Sequence, residues 1–269
     1  MSALFNKLPK TTQDSKVIKV GTDAAYAPME YDEGGKIVGV DPDIAAALGK
    51  ELGVTFQFTS SPYDSLISSL NTGHQDIAMS AMSDTKARQQ GLDDSGKKVG
   101  EGVDFVDYFT SGVSLLVRKG NPDKIQSLDD LCGKTVAAGH STVYEGILKT
   151  QATKCAEGGK GTLTIEAFDT DPEAQARLKS GGAVAELNDY PVATYIANTA
   201  GGGNDFEVAG NPTNAGLYGI AVDKDNIQLR DALKEALNAI IKNGEYATVL
   251  EKWGVKNGAV TEAAINGGY

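Results

Sequence analysis

The fold class follows from VIKVG (17–21), DIAAALGKEL (43–52), VTFQF (54–58), YDSLISSLN (63–71) and DIAMSAM (76–82). The first, third and fifth segments are short and rich in apolar residues, as strands are. The second and fourth carry apolar residues every three or four positions, which predicts helices with one buried face. Strands that alternate with helices indicate a mostly parallel sheet covered by helices, so we predict an α/β fold.

The same alternation restarts after residue 112 and predicts a second α/β unit. Short apolar strands and helical patterns follow one another through residues 113–210. An amphipathic helix is predicted over residues 229–243, and the single tryptophan, Trp253, follows it as an expected docking anchor. We therefore predict a first lobe over residues 16–112, a second lobe over 113–210, and a return to the first lobe over 211–269.

Composition excludes several classes of partner. The chain has 269 residues and a formal net charge of −11, which disfavours nucleic acid and anionic membrane surfaces. No segment approaches the ~20 apolar residues that a membrane-spanning helix needs. Residues 1–15 are polar and lack the apolar region of a signal peptide. Either the protein is cytosolic or an export signal has been removed, and the motifs below favour removal.

The chain contains two cysteines, Cys132 and Cys155, and two histidines. The cysteines either form a disulfide or are two unrelated buried thiols. Because this set is poor for zinc, a disulfide is favoured over a metal site, and we expect neither metal nor cofactor. A disulfide here would stabilise the fold by roughly 3 kcal/mol and would fit an extracytoplasmic location.

Polar motifs follow the predicted strands, at the edge where open α/β sheets bind ligands. In GTDAAYAPMEY (21–31), Asp23 offers a carboxylate and Tyr26 an aromatic face, although turn formation also explains an Asp near a Pro. In DIAMSAMSDTKARQQ (76–90), Ser83 is placed to cap a short helix that carries Arg88. Its guanidinium can hold a carboxylate through two parallel hydrogen bonds, whereas the alternative is an ordinary capped helix with a surface arginine.

Two further motifs follow strands in the second predicted unit. GHSTVYEG (139–146) offers the hydroxyls of Ser141 and Thr142 together with exposed backbone amides. ELNDYPVA (186–193) places Asp189 at a strand end, where it can accept hydrogen bonds from an ammonium group. The alternative for Asp189 is a helix N-cap before Tyr-Pro.

Taken together, these motifs resemble the polar amino-acid solute-binding proteins of bacterial ABC importers, solute-binding protein family 3. The resemblance covers residues 16–256 and includes VGVDPDIAAALGKELGV (38–54), SPYDSLISSLNTG (61–73), FVDYFTSGVSLLVRKGNP (105–122) and LYGIAVDKDN (217–226). It implies a two-lobed type II periplasmic-binding-protein fold with two hinge strands. It also implies a monomer, located in the periplasm or at the cell surface with or without a lipid anchor, that delivers an amino acid to a membrane permease.

The resemblance also implies roles for individual residues. Arg88 grips the ligand carboxylate, while Asp189 and the Ser80–Ala81 region receive the ammonium group. Tyr26 and Tyr63 are expected to form aromatic walls, and Asp23 is expected to face the far end of the ligand side chain. The remaining carboxylate contacts are expected from Ser83, Ser141, Thr142 and Val143.

The sequence departs from the family pattern in places. Ala81 stands where many relatives have Ser or Gly, so one hydroxyl is missing, and in GGAVAELND (181–189) Glu186 lies late in the strand. Residues 89–102 form a longer polar loop than most relatives have. These departures affect the identity of the ligand more than its class.

Two other functions compete with amino-acid capture. An enzyme resembling the cyclohexadienyl dehydratases would need a general acid in the cleft, for which Asp23, Glu30 and Glu173 are candidates. No acid–base pair in the sequence has a spacing that demands catalysis, so we expect a binding protein and not an enzyme. A sensory ligand-binding domain is the third possibility.

Overall fold

The computed structural model describes residues 4–92 and 97–269, without the side chains of residues 214 and 215. It divides into two compact units. The first unit contains Met1–Ala24, Pro28–Thr110 and Gly216–Tyr269, and the second contains Ala25–Ala27 and Ser111–Ala215. Residues 93–96, within the long loop noted in the sequence, lie outside the described residues, as do residues 1–3 of the polar N-terminal segment.

The described strands and helices alternate along most of the chain. The strands are β1 (Val17–Thr22), β2 (Ala25–Tyr26), β3 (Glu30–Glu33), β4 (Lys36–Val38), β5 (Thr55–Ser60), β6 (Ile77–Ala78), β7 (Val103–Arg118), β8 (Thr135–Gly139), β9 (Thr164–Phe168), β10 (Ala185–Asp189), β11 (Phe206–Asp223) and β12 (Ala264–Ile265). The helices are α1 (Lys10–Ser15), α2 (Val40–Leu52), α3 (Leu66–Asn71), α4 (Lys86–Gln90), α5 (Val143–Glu157), α6 (Asp171–Lys179), α7 (Tyr190–Thr199), α8 (Ile227–Asn243) and α9 (Glu245–Lys252). The chain passes from one unit to the other within β7 and β11.

In the first unit, β1 lies between β5 and β6 and is parallel to both. The last part of β11 then pairs antiparallel with β6. Apolar side chains of β1 and α2 are fully buried, including Ile18, Val20, Ile44 and Leu48. The alternation in residues 17–82 therefore produces the predicted helix-covered sheet.

The C-terminal helices belong to the first unit. The amphipathic pattern over residues 229–243 forms α8, which packs against α2. Trp253 follows α9, its indole Nε1 donates to Asp43 Oδ2 at 2.7 Å, and its ring meets Tyr31 edge-on. Because this hydrogen bond ties the end of α9 to the start of α2, Trp253 is the docking anchor that the sequence predicted.

In the second unit, β8 pairs in parallel with both β9 and β10, and β10 pairs antiparallel with the second half of β7. The core of this sheet includes Leu115, Val136, Leu148 and Leu187. Cys132 and Cys155 form the expected disulfide, which joins the segment before β8 to α5.

Candidate ligand-binding site

The candidate residues divide between the two units. The first unit holds Asp23, Tyr63, Ser80, Ala81, Ser83 and Arg88. The second unit holds Tyr26, Ser141, Thr142, Val143 and Asp189. Each group lies where a strand ends or a helix begins, so we describe the two groups separately.

In the first unit, Ser80 and Ala81 are fixed by a buried pair of acids. The hydroxyl of Ser80 accepts from the backbone amide of Asp23 at 2.9 Å and donates to Glu30 Oε1 at 2.8 Å. The backbone amide of Ala81 donates to Asp41 Oδ2 at 3.0 Å. Ala81 has a left-handed backbone with φ +44°, a conformation that residues other than Gly seldom adopt. The chain therefore turns sharply after β6, and the strand ends earlier than the predicted residue 82.

The two acids beneath this turn share one proton. Burial, followed by the charge of Asp41, raises the pKa of Glu30 well above its usual value. Burial also raises the pKa of Asp41, to about 6. Asp41 accepts from Ala81 N and from the hydroxyl of Tyr108, whereas Glu30 Oε2 has no donor within reach. The proton therefore belongs on Glu30, which can donate it to Asp41.

Arg88 lies in the one-turn helix α4. Its Nη1 donates to the carbonyl oxygen of Ser83 at 2.8 Å, and its guanidinium lies 5.5 Å from the centre of the Tyr63 ring. A carbonyl and an aromatic face therefore help to orient the guanidinium. Tyr63, which the sequence suggested as an aromatic wall, therefore also supports the guanidinium of Arg88.

The helix cap was predicted wrongly. Thr85, and not Ser83, caps α4, and its hydroxyl accepts from Arg88 N at 3.2 Å. Ser83 instead forms an antiparallel bridge with Tyr218, so its backbone still belongs to the edge of the sheet. The helix can begin only after the chain has left that bridge, two residues later.

In the second unit, Ser141, Thr142 and Val143 form the entry to α5. Ser141 has φ +60° and its amide donates to the side chain of Glu145 at 3.0 Å. The hydroxyl of Thr142 donates to Gly139 O at 2.7 Å, and Thr142 is the N-cap residue without capping through its side chain. Its hydroxyl hydrogen is therefore committed to the main chain, which leaves backbone amides of the first turn as the natural donors to an anion.

Asp189 ends β10 and precedes α7. It is the N-cap residue of that helix, as the alternative considered from the sequence expected, although its side chain makes no capping hydrogen bond. Its Oδ2 instead accepts from the hydroxyl of Tyr26 at 2.6 Å, and the same hydroxyl lies 2.5 Å from Asn188 Oδ1. Tyr26 thus touches the carboxylate through its polar end, in addition to the aromatic face that the sequence suggested.

Sequence reasoning missed the buried residues that support this site. Asn188 and Glu186 lie two positions apart in β10, so their side chains leave the same face of the strand. That spacing in ELND was the available signal. For Asp41 the available signal was only its position two residues after Gly39 and two residues before the predicted helix over 43–52.

The acids considered for catalysis have structural partners. Glu30 is fully buried, and Glu173 completes a capping box with Thr170 at the start of α6. Within residues 4–92 and 97–269, no group of three His, Cys, Asp or Glu side chains is arranged to hold a metal ion. Among the helices that the structure describes, none combines the length and the apolar character needed to cross a bilayer.

Comparison with known proteins shows the family. The model of the bacterial extracellular solute-binding proteins, family 3, matches residues 18–256. A probable histidine-binding protein of Neisseria gonorrhoeae is 31% identical, over 90% of this chain and 85% of its own length. The structure of an ancestral arginine-binding protein bound to arginine is 33% identical, with a TM-score of 0.76, and covers 88% of this chain and 98% of its own.

A third similar protein bears on the competing functions. It is the ancestral amino-acid-binding protein AncCDT-1, described as a precursor of cyclohexadienyl dehydratase. It is 33% identical with a TM-score of 0.77, over 90% of this chain and 97% of its own. The chain therefore belongs to the bacterial extracellular solute-binding proteins, family 3. The predicted fold class and the resemblance stated from the sequence are both confirmed.

Proposed function

We propose that this protein captures one free amino acid outside the cytoplasm and delivers it to the membrane permease of an ABC importer. The observation that carries the proposal is the pair of opposite charges held ready in the two units. Arg88 is oriented by the Ser83 carbonyl and the Tyr63 ring, and Asp189 is held by the Tyr26 hydroxyl. An amino acid carries one charge of each sign, so one ligand can pair with both residues.

The energetics favour a zwitterion over a singly charged ligand. A charge removed from water without a partner costs several kcal/mol. Arg88 offers a partner for a carboxylate, and the nearly buried Asp189 offers one for an ammonium group. A zwitterion therefore finds a partner for each of its charges, whereas a singly charged ligand uses only one of the two residues.

We propose a polar or cationic side chain for the ligand. Asp23 supplies a carboxylate whose backbone is fixed by Ser80, and Tyr63 supplies an aromatic face in the same unit. The relatives described as arginine- and histidine-binding support this class. L-Arginine and L-histidine are therefore the first amino acids to test.

The proposal includes the absence of catalysis. Glu30 is buried below Ser80 and Glu173 is engaged in a helix cap, so neither is placed to donate a proton to a bound substrate. We also propose that the protein is a monomer and that it works outside the cytoplasm, and the description of the family as extracellular supports the location. Turnover of prephenate by the purified protein would instead favour the dehydratase alternative.

Thermal shift against all common amino acids, L-ornithine and L-cystine tests the proposal, after unfolding and refolding to remove any carried ligand. Binding to the native state alone raises the melting temperature by mass action. Arg88→Ala should abolish the shift and leave the ligand-free melting temperature nearly unchanged. Lys242→Ala, which removes an exposed cation of the same unit, is the matched control. If no amino acid shifts the parent protein, or if Arg88→Ala binds normally, the proposal is wrong.

A further inference from the structure

Glu186 is a fully buried acid on β10, three positions before Asp189 of the candidate site. Its Oε1 accepts from Asn188 Nδ2 at 3.1 Å, and its Oε2 has no donor within reach. The same Asn188 nitrogen also donates to Asp171 Oδ1 at 2.6 Å, so the two carboxyls lie side by side, an arrangement that favours one proton between two acids. The pair therefore holds one proton and one negative charge.

The surroundings place that proton on Glu186. Asp171 is the first residue of α6, where the helix dipole favours a negative charge. Its Oδ1 accepts from Asn188 Nδ2 at 2.6 Å, and its Oδ2 accepts from Gln175 Nε2 at 2.5 Å. Burial, followed by the charge of Asp171, raises the pKa of Glu186 well above its usual value. Asp171 is thus the acceptor, and Glu186 is the donor between the two carboxyls.

This pair determines which way the Asn188 amide points. Its nitrogen faces both acids, so its oxygen must face the opposite direction. That oxygen accepts from the backbone amide of Asp189 at 2.8 Å and lies 2.5 Å from the Tyr26 hydroxyl. The hydroxyl has one hydrogen and touches two acceptors, Asn188 Oδ1 and Asp189 Oδ2. A contact chain therefore runs from Glu186 and Asp171 through Asn188 to the carboxylate proposed to bind the ammonium group.

We propose that Glu186, through the carboxyl pair with Asp171, is a positioning residue that fixes Asn188 and thereby holds Tyr26 and Asp189 in place for the ammonium group of the ligand. The role of the ammonium group rests on the proposed function. The fixed orientation of Asn188 does not depend on it. Glu186 acts through Asn188 and makes no contact of its own with the ligand.

Two amide variants separate this role from simple filling of space. In Glu186→Gln, the amide nitrogen replaces the protonated oxygen and can still donate to Asp171, while the amide oxygen still accepts from Asn188. In Asp171→Asn, one of the two oxygens becomes a nitrogen that faces a donor, either from Asn188 or from Gln175. Both substitutions remove one carboxyl and keep its shape, so a residue that only fills space would respond equally to each.

The first measurement needs no ligand. Side-chain amide NMR follows the exchange of the Asn188 hydrogens in the parent and the two amide variants, with exposed Asn257 as the internal reference. We expect slow exchange in the parent and in Glu186→Gln, and faster exchange in Asp171→Asn. Equal behaviour of the two variants, or parent exchange as fast as that of Asn257, would overturn the proposal.

The second measurement is calorimetric binding of L-arginine and L-histidine. We expect Glu186→Gln to bind within about threefold of the parent, and Asp171→Asn and Glu186→Leu to bind about tenfold or more weakly. Glu166→Gln is the control. It removes a carboxyl from β9, where Glu166 pairs with Arg177, and should leave binding unchanged. Parent-like binding by a folded Glu186→Leu would refute the positioning role.

The two measurements distinguish failure of the positioning role from failure of the proposed function. If neither amino acid binds the parent, the proposed side-chain class of the ligand is wrong, and the exchange contrast alone decides whether Glu186 fixes Asn188. If Glu186→Leu does not fold, the contrast between the two amide variants still decides. If the parent binds but all variants bind alike, the proposed function stands and the positioning role is wrong.

Discussion

Asp107→Asn should stabilise the first unit at pH 8, although it removes a hydrogen-bonded acid. Asp107 is almost fully buried on β7, and its Oδ2 accepts from Gly267 N at 2.8 Å. Its carboxyl also hydrogen-bonds with that of Asp84, and its Oδ1 has no other partner within reach. Asp84 already accepts from Gln89 Nε2 at 2.6 Å and from Gly268 N at 2.7 Å. The shared proton therefore lies on Asp107, and an asparagine amide reproduces that pattern.

The size of the effect follows from the pKa of Asp107. Burial, followed by the charge of Asp84, raises this pKa from 3.8 to about 7. Because the folded value lies above the unfolded value, the folded protein retains a proton that the unfolded chain has released. The contribution of Asp107 to stability is therefore highest below pH 3.8, falls as pH rises towards 7, and is constant above pH 7. At about 1.4 kcal/mol for each pKa unit, the loss reaches up to about 4 kcal/mol. Asparagine does not ionise, so the variant escapes this loss.

Urea unfolding between pH 5 and pH 8, followed by the fluorescence of Trp253, measures the difference. Trp253 is the single tryptophan and lies in the same unit as Asp107, so its signal reports on that unit even if the two units unfold separately. We expect the free energy of unfolding of Asp107→Asn to increase relative to that of the parent as pH rises to about 7, and the difference to level off above it. Asp84→Asn is the matched control and should be destabilised throughout, because its new nitrogen would face Gln89 or Gly268. A pH-independent difference, or a variant less stable than the parent at pH 8, would refute the placement of the proton.

Three further perturbations have defined outcomes. Replacing Cys132 and Cys155 by serine opens a loop of 23 residues and should lower the stability of the second unit by about 3 kcal/mol, seen by calorimetry as loss of any effect of reductant. Gly39→Ala should destabilise the first unit by at least about 1 kcal/mol, because φ is +140° and the new methyl would lie 2.3 Å from a backbone oxygen; normal urea unfolding would contradict this. Glu30→Gln should be tolerated at pH 7 whereas Asp41→Asn should not, because the proton lies on Glu30. Equal melting temperatures of the two variants would contradict that assignment.

Local patterns were sufficient to predict much of the fold. The alternation of strands and helices in residues 17–82 depends on which residues are apolar, and periodicity displays this directly. The same holds for α8, whose apolar face is visible in one dimension. The cap of α4 was missed because it depends on the bridge between Ser83 and Tyr218, which are 135 positions apart. Local sequence patterns cannot show that the backbone of Ser83 is still paired with a strand.

The candidate site was predictable in its charged residues and not in their supports. Arg88 and Asp189 follow strand ends, where the fold class itself predicts ligand contacts. The acid below Ser80 is Glu30, fifty positions away, and nothing in the sequence around either residue indicates the contact. The sequence alone does not distinguish a buried acid from an exposed one, so the burial of Glu30 is visible only in the structure.

Three acid pairs among the described residues follow one physical rule, with Asp171 partly buried and the other five acids buried. In Glu30–Asp41, Asp107–Asp84 and Glu186–Asp171, one acid accepts hydrogen bonds from amide or hydroxyl donors, and the other has an oxygen without a donor. A single shared proton satisfies that oxygen and reduces two buried charges to one, whereas a cation partner would have to be desolvated as well.

Because the proton is retained in the folded state and released in the unfolded state, each pair weakens folding as pH rises through its titration range. The protonated member of each pair should therefore accept an amide at little cost, and its partner should not. This contrast is the same in both units, but the hydrogen-bond partners of the pairs differ. Glu30–Asp41 bonds to Ser80 and Ala81, and Glu186–Asp171 bonds to Asn188. Asp107–Asp84 bonds instead to Gln89, Gly267 and Gly268. Amide substitution of the unprotonated member should accordingly weaken ligand binding in the first two pairs, whereas in Asp107–Asp84 only stability should change.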